Sequence, residues 1–400
     1  MKICYIATDV VVPHFRGAST HTREVARHLV NLGHQVDLLC REGSGQAQTE
    51  ILDGIRIHRI KDGIVTSNPY SSYRARPDVV SKSRWIRRVL KSLYGLYFTS
   101  IYPIYAAARA IKVVQSTNSD IIFERETSFG AGAITSYLTG RALLVEIIGP
   151  RFNSLSVRRA SKILYYNPSM IGGLANSHKL SKVSAAANTT LFRYDPQARK
   201  EKRDLLNLDG KTVIGYLGTF AEWQGLSDII DASKELSKKY AQIHFLMIGP
   251  YYQDTRETIV QLGLQNRFTF LGQVQYEKVP EYLSATDILI APYNLGPSRL
   301  RRREGIGSSL KICEYMACSR PVIASSLYPI YSEFQDGTDL LLIRPGNVAD
   351  LVNSIEKLML NPDEMKRLAA AGRDVVEKKY SWAIFTRSLE KMMVQAIHSS

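Results

Sequence analysis

Apolar positions in this chain come in short runs separated by glycine, proline and polar turns, and their spacing predicts alternating strands and helices. KICYIATDV (2–10) is apolar and rich in β-formers, and PHFRGAST behind it is loop chemistry. In HTREVARHLVNLG, Val25, Leu29 and Leu32 recur at helical spacing and Gly33 stops the helix. HQVDLLC resumes as a strand, and a strand–loop–helix–strand unit implies a parallel sheet. DIIFER (120–125) and ALLVEIIG (142–149) are further strands, and GGLANS (172–177) suits a tight strand exit. The alternation breaks over 195–211, which is charged and carries Pro196 and Gly210, so an interdomain linker is expected near its start. It restarts with TVIGYLGTF, then a helix with Ile229, Ile230, Ala232 and Leu236 on one face, then IHFLMIGP, RETIVQLGL and FTFLGQV. VPEYLSATD, ILIAPY, LKICEYMACS and RPVIAS continue it, and a last helix is expected over about 383–397. The fold class is α/β with two tandem units, residues 1–195 and 196–380, followed by a closing helix in 381–400.

Size agrees, since 400 residues exceed one ordinary core and fit two α/β domains of roughly 150–200 residues. No apolar run approaches the ~20 residues that cross a bilayer. Asp9 and Pro13 interrupt the opening run, which reads as a buried strand and not a signal peptide. Cys4, Cys40, Cys313 and Cys318 lack zinc spacing and are expected to be small buried residues in a reducing cytoplasm. Charge adds more. The net +15 is uneven: residues 1–195 hold 26 Lys+Arg against 13 Asp+Glu, whereas 196–400 hold 26 against 24.

In an open parallel sheet, ligands bind beyond the carboxyl ends of strands, where loops feed helix N-termini. Three such loops stand out. Arg16-Gly17-Ala18-Ser19-Thr20 would let backbone N–H groups approach an anion, although one glycine alone reads as a plain βα turn at least as well. Gly215 to Gly225 places glycines around a strand end and a helix start, which close helix–strand packing explains equally. The third loop, 296–309, is rich in Gly, Ser and Arg and enters the helix LKICEYMA. Lys311 in its first turn opposes the helix dipole, a placement that a bound diphosphate would explain. Glu314, one turn on, suits ribose hydroxyls; a solvated basic loop before an ordinary helix is the plainer reading. No Asp-x-Asp metal motif stands near a strand end.

In order, these segments resemble the family-4 retaining glycosyltransferases of the GT-B fold ("glycosyl transferases group 1" type), nearly end to end. The resemblance is carried by Pro13 to Ser19 with His21, Asp120 to Arg125, Ala175-Asn176-Ser177, Gly215 to Gly225, Phe270 to Val274, and Asp287 to Pro292. Leu310-Lys311, Glu314 to Ala317, Pro321 to Ser325 and Tyr380-Ser381-Trp382 complete it. It implies two Rossmann-like domains facing across a cleft, an acceptor-side one at 1–195 and a nucleotide-sugar-binding one at 196–380. The last helix, in 381–400, would cross back to the first domain. By that resemblance Glu314 would hold the donor ribose, Gln273 and Val274 would border the base, and the backbone of Ser308, Ser309 and Leu310 would meet phosphate and sugar. Gly17 would approach the phosphate from the first domain, and Gly218 lies in the matching loop of the second.

Departures from the family pattern bear on the chemistry. The first of two glutamates that the family often carries falls at Ile306, with Glu304 two residues away. The Arg/Lys pair that neutralises the diphosphate falls at Thr219 and Gln224, and a strand-end histidine is replaced at Arg125. Lys311, with one or more of Arg299, Arg301, Arg302 and Arg303, is expected to supply the missing charge. Arg125, Glu304 and Lys311 are therefore the expected catalytic residues, without a metal or cofactor, a UDP- or GDP-sugar being the substrate. The expected activity is retaining transfer of a hexosyl group from a nucleotide sugar to a glycan or lipid-linked acceptor. The alternatives are a non-catalytic nucleotide-sugar-binding or scaffold protein and, behind it, a sugar-nucleotide epimerase.

The basic excess concentrates in 74–112, where Arg84, Trp85, Arg87, Arg88 and Lys91 mix cations with aromatic and aliphatic residues. Such a helix reads as an interfacial membrane element, or as a core-packed helix with a solvated basic face. The expected partner is an anionic membrane and not nucleic acid, with a cytoplasmic location on the inner face of the plasma membrane. Donor base, sugar, acceptor and linkage are not legible.

Overall fold

The computed structural model describes residues 1–61, 101–125, 130–149, 152–174, 178–250, 253–295 and 309–399. Contacts divide the chain into two units. The first comprises Met1–Tyr165, Met170–Lys182 and Thr386–Ser400, the second Tyr166–Ser169 and Val183–Phe385.

The first unit is built on one sheet. Its strands are β1 (Lys2–Val11), β2 (Gln35–Arg41), β3 (Thr49–Leu52), β4 (Ile55–Ile60), β5 (Ile121–Arg125), β6 (Ala142–Ile147), β7 (Lys162–Tyr165) and β8 (Leu180–Lys182). Their order is β3-β4-β2-β1-β5-β6-β7-β8, and β3–β4 is the antiparallel pair among parallel ones. The direction of winding reverses between β1 and β5, so the carboxyl ends of those strands form the switch point. Helices α1 (Gly17–Asn31), α2 (Tyr102–Thr117), α3 (Ala131–Thr139) and α4 (Ser154–Arg159) follow. Helices α2 to α4 bury Ala106, Ala110, Ala131 and Val157 with the strand residues Cys4, Ile6, Ile122, Leu143 and Val145. Alternate strand positions face the opposite side, where Tyr5 and Phe123 stack with centroids 4.5 Å apart. Both faces being covered explains why β1, β5 and β6 read as continuous apolar runs.

The second unit contains α5 (Pro196–Leu205), β9 (Thr212–Leu217), α6 (Leu226–Lys239), β10 (Ile243–Ile248), α7 (Gln253–Gln261), β11 (Phe268–Gly272) and α8 (Val279–Ser284). It continues with β12 (Ile288–Ala291), α9 (Leu310–Ala317), β13 (Val322–Ser325), α10 (Ile330–Glu333), β14 (Leu341–Ile343), α11 (Val348–Met359) and α12 (Pro362–Lys379). The sheet runs β11-β10-β9-β12-β13-β14, all parallel, with its switch point between β9 and β12. Successive residues of one strand feed two cores: Val213, Leu246 and Leu289 join the α9 side, whereas Ile214, Met247 and Ile290 join the α6 and α11 side. Helix α13 (Trp382–His398) begins with the second unit and passes to the first from Thr386 onward.

Three readings of the sequence change. The expected linker at 195–211 contains a helix, α5, with Pro196 at its start and the Asp195 carboxylate accepting from the Gln197 and Ala198 amides. By contacts the second unit starts at Val183 and not at 196, because Ala185, Ala187 and Phe192 lie in its core. Gly172–Leu174 form a 3-10 turn in place of a strand exit, and Ala175 to Ser177 lie outside the described residues. The four cysteines are buried and free.

Candidate functional site

The carboxyl edge of the second sheet is cleared of side chains. Gly218 and Gly249 directly follow β9 and β10, and β11 finishes at Gly272, all at positive φ. A Cβ on Gly249 would lie 2.0 Å from the Gly218 carbonyl oxygen, so the adjacent strand ends approach as only glycine allows. Gly225, at φ +79°, is fixed in the same way, since a Cβ there would lie 1.7 Å from the Pro292 carbonyl oxygen.

Into this edge α9 projects Lys311. Its Nζ donates to Gln224 Oε1 at 2.7 Å and lies 4.6 Å from the Tyr216 ring centroid and 5.3 Å from that of Tyr293. Gln224 Nε2 donates to Thr219 Oγ1 at 3.0 Å. The Tyr216 hydroxyl stands 2.9 Å from the Thr219 carbonyl and 2.7 Å from Gln224 Oε1, its single proton serving one at a time. A Cβ on Gly218 would sit 2.5 Å from both Lys311 Nζ and Gln224 Oε1, so these two atoms fill the space that a side chain at 218 would need. Lys311 as a whole residue keeps partial solvent exposure, yet its ammonium is enclosed by a neutral amide and two rings. Burial pushes its pKa down to about 7, against the opposing pull of Glu314.

Glu314 is buried one turn along α9. Ser309 precedes that helix and its hydroxyl pairs with the Tyr293 hydroxyl at 2.6 Å. Tyr293 stacks on Trp223 at 5.7 Å, and Asn294 donates to both Asp228 oxygens at 3.1 and 3.2 Å. Burial raises the Asp228 carboxyl above its ordinary range. These contacts tie the segment after β12 to the start of α6. Thus Gly218, Thr219, Gln224, Ser309, Lys311 and Glu314 lie on one edge of one unit. Leu310 starts α9, while Gln273 is exposed and Val274 packs on the core behind β11. Arg299, Arg301, Arg302, Arg303, Glu304 and Ser308 lie outside the described residues, as do Arg84, Trp85, Arg87, Arg88 and Lys91.

The matching edge of the first sheet holds paired side chains. Arg125 ends β5, is buried, and lies 3.4 Å from Asp9 on β1. His21 of α1 meets Glu146 of β6 at 2.9 Å, with both side chains almost fully enclosed. Gly17 opens α1 and is exposed. Of the basic 74–112 stretch, Tyr102 is a core residue whose hydroxyl donates to the Thr8 carbonyl at 2.8 Å, so it is not part of an outward aromatic face. Lys112 is exposed on α2.

The reading of the sequence missed Tyr216, Tyr293 and the Asp228–Asn294 clamp, which look like ordinary strand-end residues until folded. It also gave no role to Asp9, whose interruption of an apolar run was the available signal.

Comparison with known proteins agrees with this layout. The model described as "Glycosyl transferases group 1" matches residues 197–375, and that described as "Glycosyltransferase Family 4" matches 15–145. An alpha-D-kanosaminyltransferase of Streptomyces kanamyceticus is 26% identical over 208 residues, 51% of each chain. A GDP-mannose-dependent alpha-(1-6)-phosphatidylinositol monomannoside mannosyltransferase of Mycobacterium tuberculosis is 22% identical over 205 residues, 51% of this chain and 52% of that one. The chain thus spans about half the length of the curated relatives it matches. Among solved structures, sucrose-phosphate synthase of Thermosynechococcus elongatus aligns over 100% of both chains with a TM-score of 0.74 at 17% identity. HepE of Anabaena, solved with UDP and glucose, aligns over 98% of this chain and 99% of that one at 0.73 and 16%. The two family models together cover more than three quarters of the sequence, and the chain belongs to the family-4, group 1 glycosyltransferases.

Proposed function

We propose that this chain is a retaining hexosyltransferase that takes a sugar from a nucleoside-diphosphate donor held at the carboxyl edge of β9 and β12. The observation that carries the reading is the Lys311–Gln224–Thr219 cluster against Gly218, a cation beside bare backbone at a switch point. Transfer breaks the bond between the anomeric carbon and the diphosphate oxygen and forms one to an acceptor hydroxyl oxygen. The diphosphate oxygen carries away the bonding pair, and the acceptor hydroxyl proton passes to that oxygen. Its growing charge needs fixed positive partners in a dry site. In this reading Lys311 and the N-terminus of α9 supply them, helped by Arg299 and its neighbours, and no metal or cofactor is required. Glu314 holds the donor ribose, Ser308, Ser309 and Leu310 meet phosphate and sugar, and Gln273 and Val274 border the base. The roles expected for Gly17, Arg125 and Glu304 are kept in this reading.

Support for a UDP- or GDP-sugar comes from the Anabaena structure with UDP and from the GDP-mannose-dependent relative. The same relative's phosphatidylinositol acceptor and the +13 charge of residues 1–195 favour a lipid-linked acceptor met peripherally at an anionic, cytoplasm-facing membrane. Among the described residues no helix is long and apolar enough to cross a membrane. A thermal-shift screen across UDP-, GDP- and ADP-sugars, followed by donor-consumption assays with and without glycan or lipid acceptors, tests the reading. Acceptor-dependent consumption is expected. Consumption without acceptor would indicate epimerisation or hydrolysis, and binding without turnover would indicate a non-catalytic protein.

A further inference from the structure

Both ends of the Gln224 side chain are engaged. Its amide nitrogen donates to Thr219 Oγ1 and its oxygen accepts from the Lys311 ammonium. The loop that carries it is pinned, because Gly225 presses on the Pro292 carbonyl and the Trp223 carbonyl accepts from the Asn294 amide at 3.0 Å. Gln224 is itself buried, so it behaves as a bracket and not as an arm free to reach a ligand. We propose that Gln224 is a positioning residue whose amide oxygen holds the Lys311 ammonium at the carboxyl edge of β9, so that the cation meeting a nucleoside diphosphate there arrives from α9. This rests on the nucleotide-sugar reading above and adds to it a residue that acts through another.

The chemistry of the bracket matters. A glutamate at 224 would hold the ammonium equally well but would cancel its charge, whereas an amide orients it and leaves the charge for a ligand. Among the described residues three titratable groups face Lys311: Tyr216 from β9, Tyr293 from the segment after β12, and Glu314 from its own helix. Burial raises both phenol pKa values, so neither ring contributes charge near neutrality. With its pKa near 7, Lys311 is part neutral at physiological pH. An anionic ligand favours the ammonium and draws a proton in as it binds. Affinity is then steady below about pH 7 and falls by up to about tenfold per unit above it, until the ligand-bound pKa is passed.

The test is calorimetric titration with UDP-glucose, GDP-mannose and ADP-glucose from pH 6 to 9. Their diphosphate diesters do not titrate in that range, and neither does the adenine of ADP-glucose, so a pH dependence shared by all three belongs to the protein. The wild type should show the fall above pH 7. Lys311→Gln should bind at least tenfold more weakly at pH 6.5 and lose the fall. Gln224→Glu keeps the side-chain shape and should move the fall upward by at least one pH unit, because a carboxylate raises the lysine pKa. Gln224→Lys in the Lys311→Gln background should recover at least part of the affinity, since the cation is returned to the same place from the loop. Circular dichroism checks that each variant folds. A Gln224→Glu variant with an unmoved fall, or a folded Lys311→Gln variant that binds as tightly as wild type, overturns the proposal while leaving nucleotide-sugar binding intact. A wild type that binds none of the three sugars at any pH overturns the underlying reading, and this inference with it.

Discussion

The two sheets share a central parallel order that reverses at one switch point, and their carboxyl edges end in opposite ways. At the switch point of the first, polar side chains are paired with each other: Arg125 with Asp9, His21 with Glu146. At the switch point of the second, glycines stand at the ends of three strands and, among the described residues, the Lys311 ammonium leans on a neutral amide. A paired edge satisfies its charges when empty, whereas the second edge keeps a desolvated cation whose nearest partner carries no opposite charge. Such an arrangement costs stability and suits an anionic ligand. The contrast can be broken by substitutions that have opposite signs on the two sides.

The largest effect is expected at Gly225. Alanine there must hold φ +79° and place a Cβ 1.7 Å from the Pro292 carbonyl oxygen, and backbone on both sides cannot yield cheaply. Gly225→Ala should lower the stability of the second unit by about 4 kcal/mol or more, measured by urea denaturation. Gly132→Ala in the first unit meets the Glu124 carboxyl at 2.7 Å and its Cβ at 2.9 Å, but needs no left-handed φ and meets no backbone atom as near as 1.7 Å, so it should cost less. Equal losses would mean that the second edge is no more tightly built than the first.

His21→Ala comes next. It strips the enclosed Glu146 carboxyl of its 2.9 Å partner, and breaking a buried pair from one side costs about 3 kcal/mol. The loss should appear in the first unit alone, with donor binding by the second unchanged. A loss below about 1 kcal/mol would show that the first edge does not depend on its pairing.

Much of this layout was legible in the sequence. β1, β5, β9, β10 and β12 declare themselves as apolar runs because both faces of each sheet are covered, and α9 is marked by Lys311 where a cation opposes the helix dipole. Helix α5 was not recognised because Ala198 is its one buried residue, so hydrophobic periodicity is silent over it. Its Asp195–Pro196 start was the readable signal, and it belongs to capping and not to periodicity. The role of Gln224 had no local sign. It comes from Lys311, 87 positions away in sequence, and from the missing Cβ of Gly218. Contacts of that range are fixed by topology and leave no trace in a window of neighbouring residues.

Lys311→Met should invert the usual cost of altering a site. The variant keeps volume and removes an ammonium whose pKa burial has lowered to about 7. Between pH 7 and the ordinary lysine value of 10.5 the unfolded chain holds the proton and the native chain does not, so wild-type stability rises with pH across that window. Below pH 7 both states are charged and the native state bears the full burial penalty. Lys311→Met should therefore be more stable than wild type by about 2 kcal/mol at pH 6.5, with a gain that shrinks above pH 7, and should lose most of its affinity for sugar nucleotides. A destabilised variant would mean that the ammonium is well satisfied in the ligand-free protein.

The smallest effect has the opposite pH signature and lies in the first unit. Glu124 on β5 is fully buried, and its Oε1 accepts from the Gly132 amide at 2.7 Å near the start of α3. The helix dipole favours a carboxylate there, but burial dominates and lifts the pKa to about 7, against the hydrogen bond from Gly132. Because the folded value lies above the unfolded one, the native state binds the extra proton between about 4.5 and 7, and stability falls as pH rises through that window. Glu124→Gln retains the oxygen that accepts from Gly132 and removes the titration. It should match wild type at pH 4 and exceed it by about 1 kcal/mol at pH 8, read from urea denaturation with hydrogen exchange assigning the transition to the first unit. Opposite slopes in the two units, falling from 4.5 to 7 in the first and rising above 7 in the second, would tie each pH response to one buried group. A wild-type slope that survives in Glu124→Gln would place the first unit's response elsewhere.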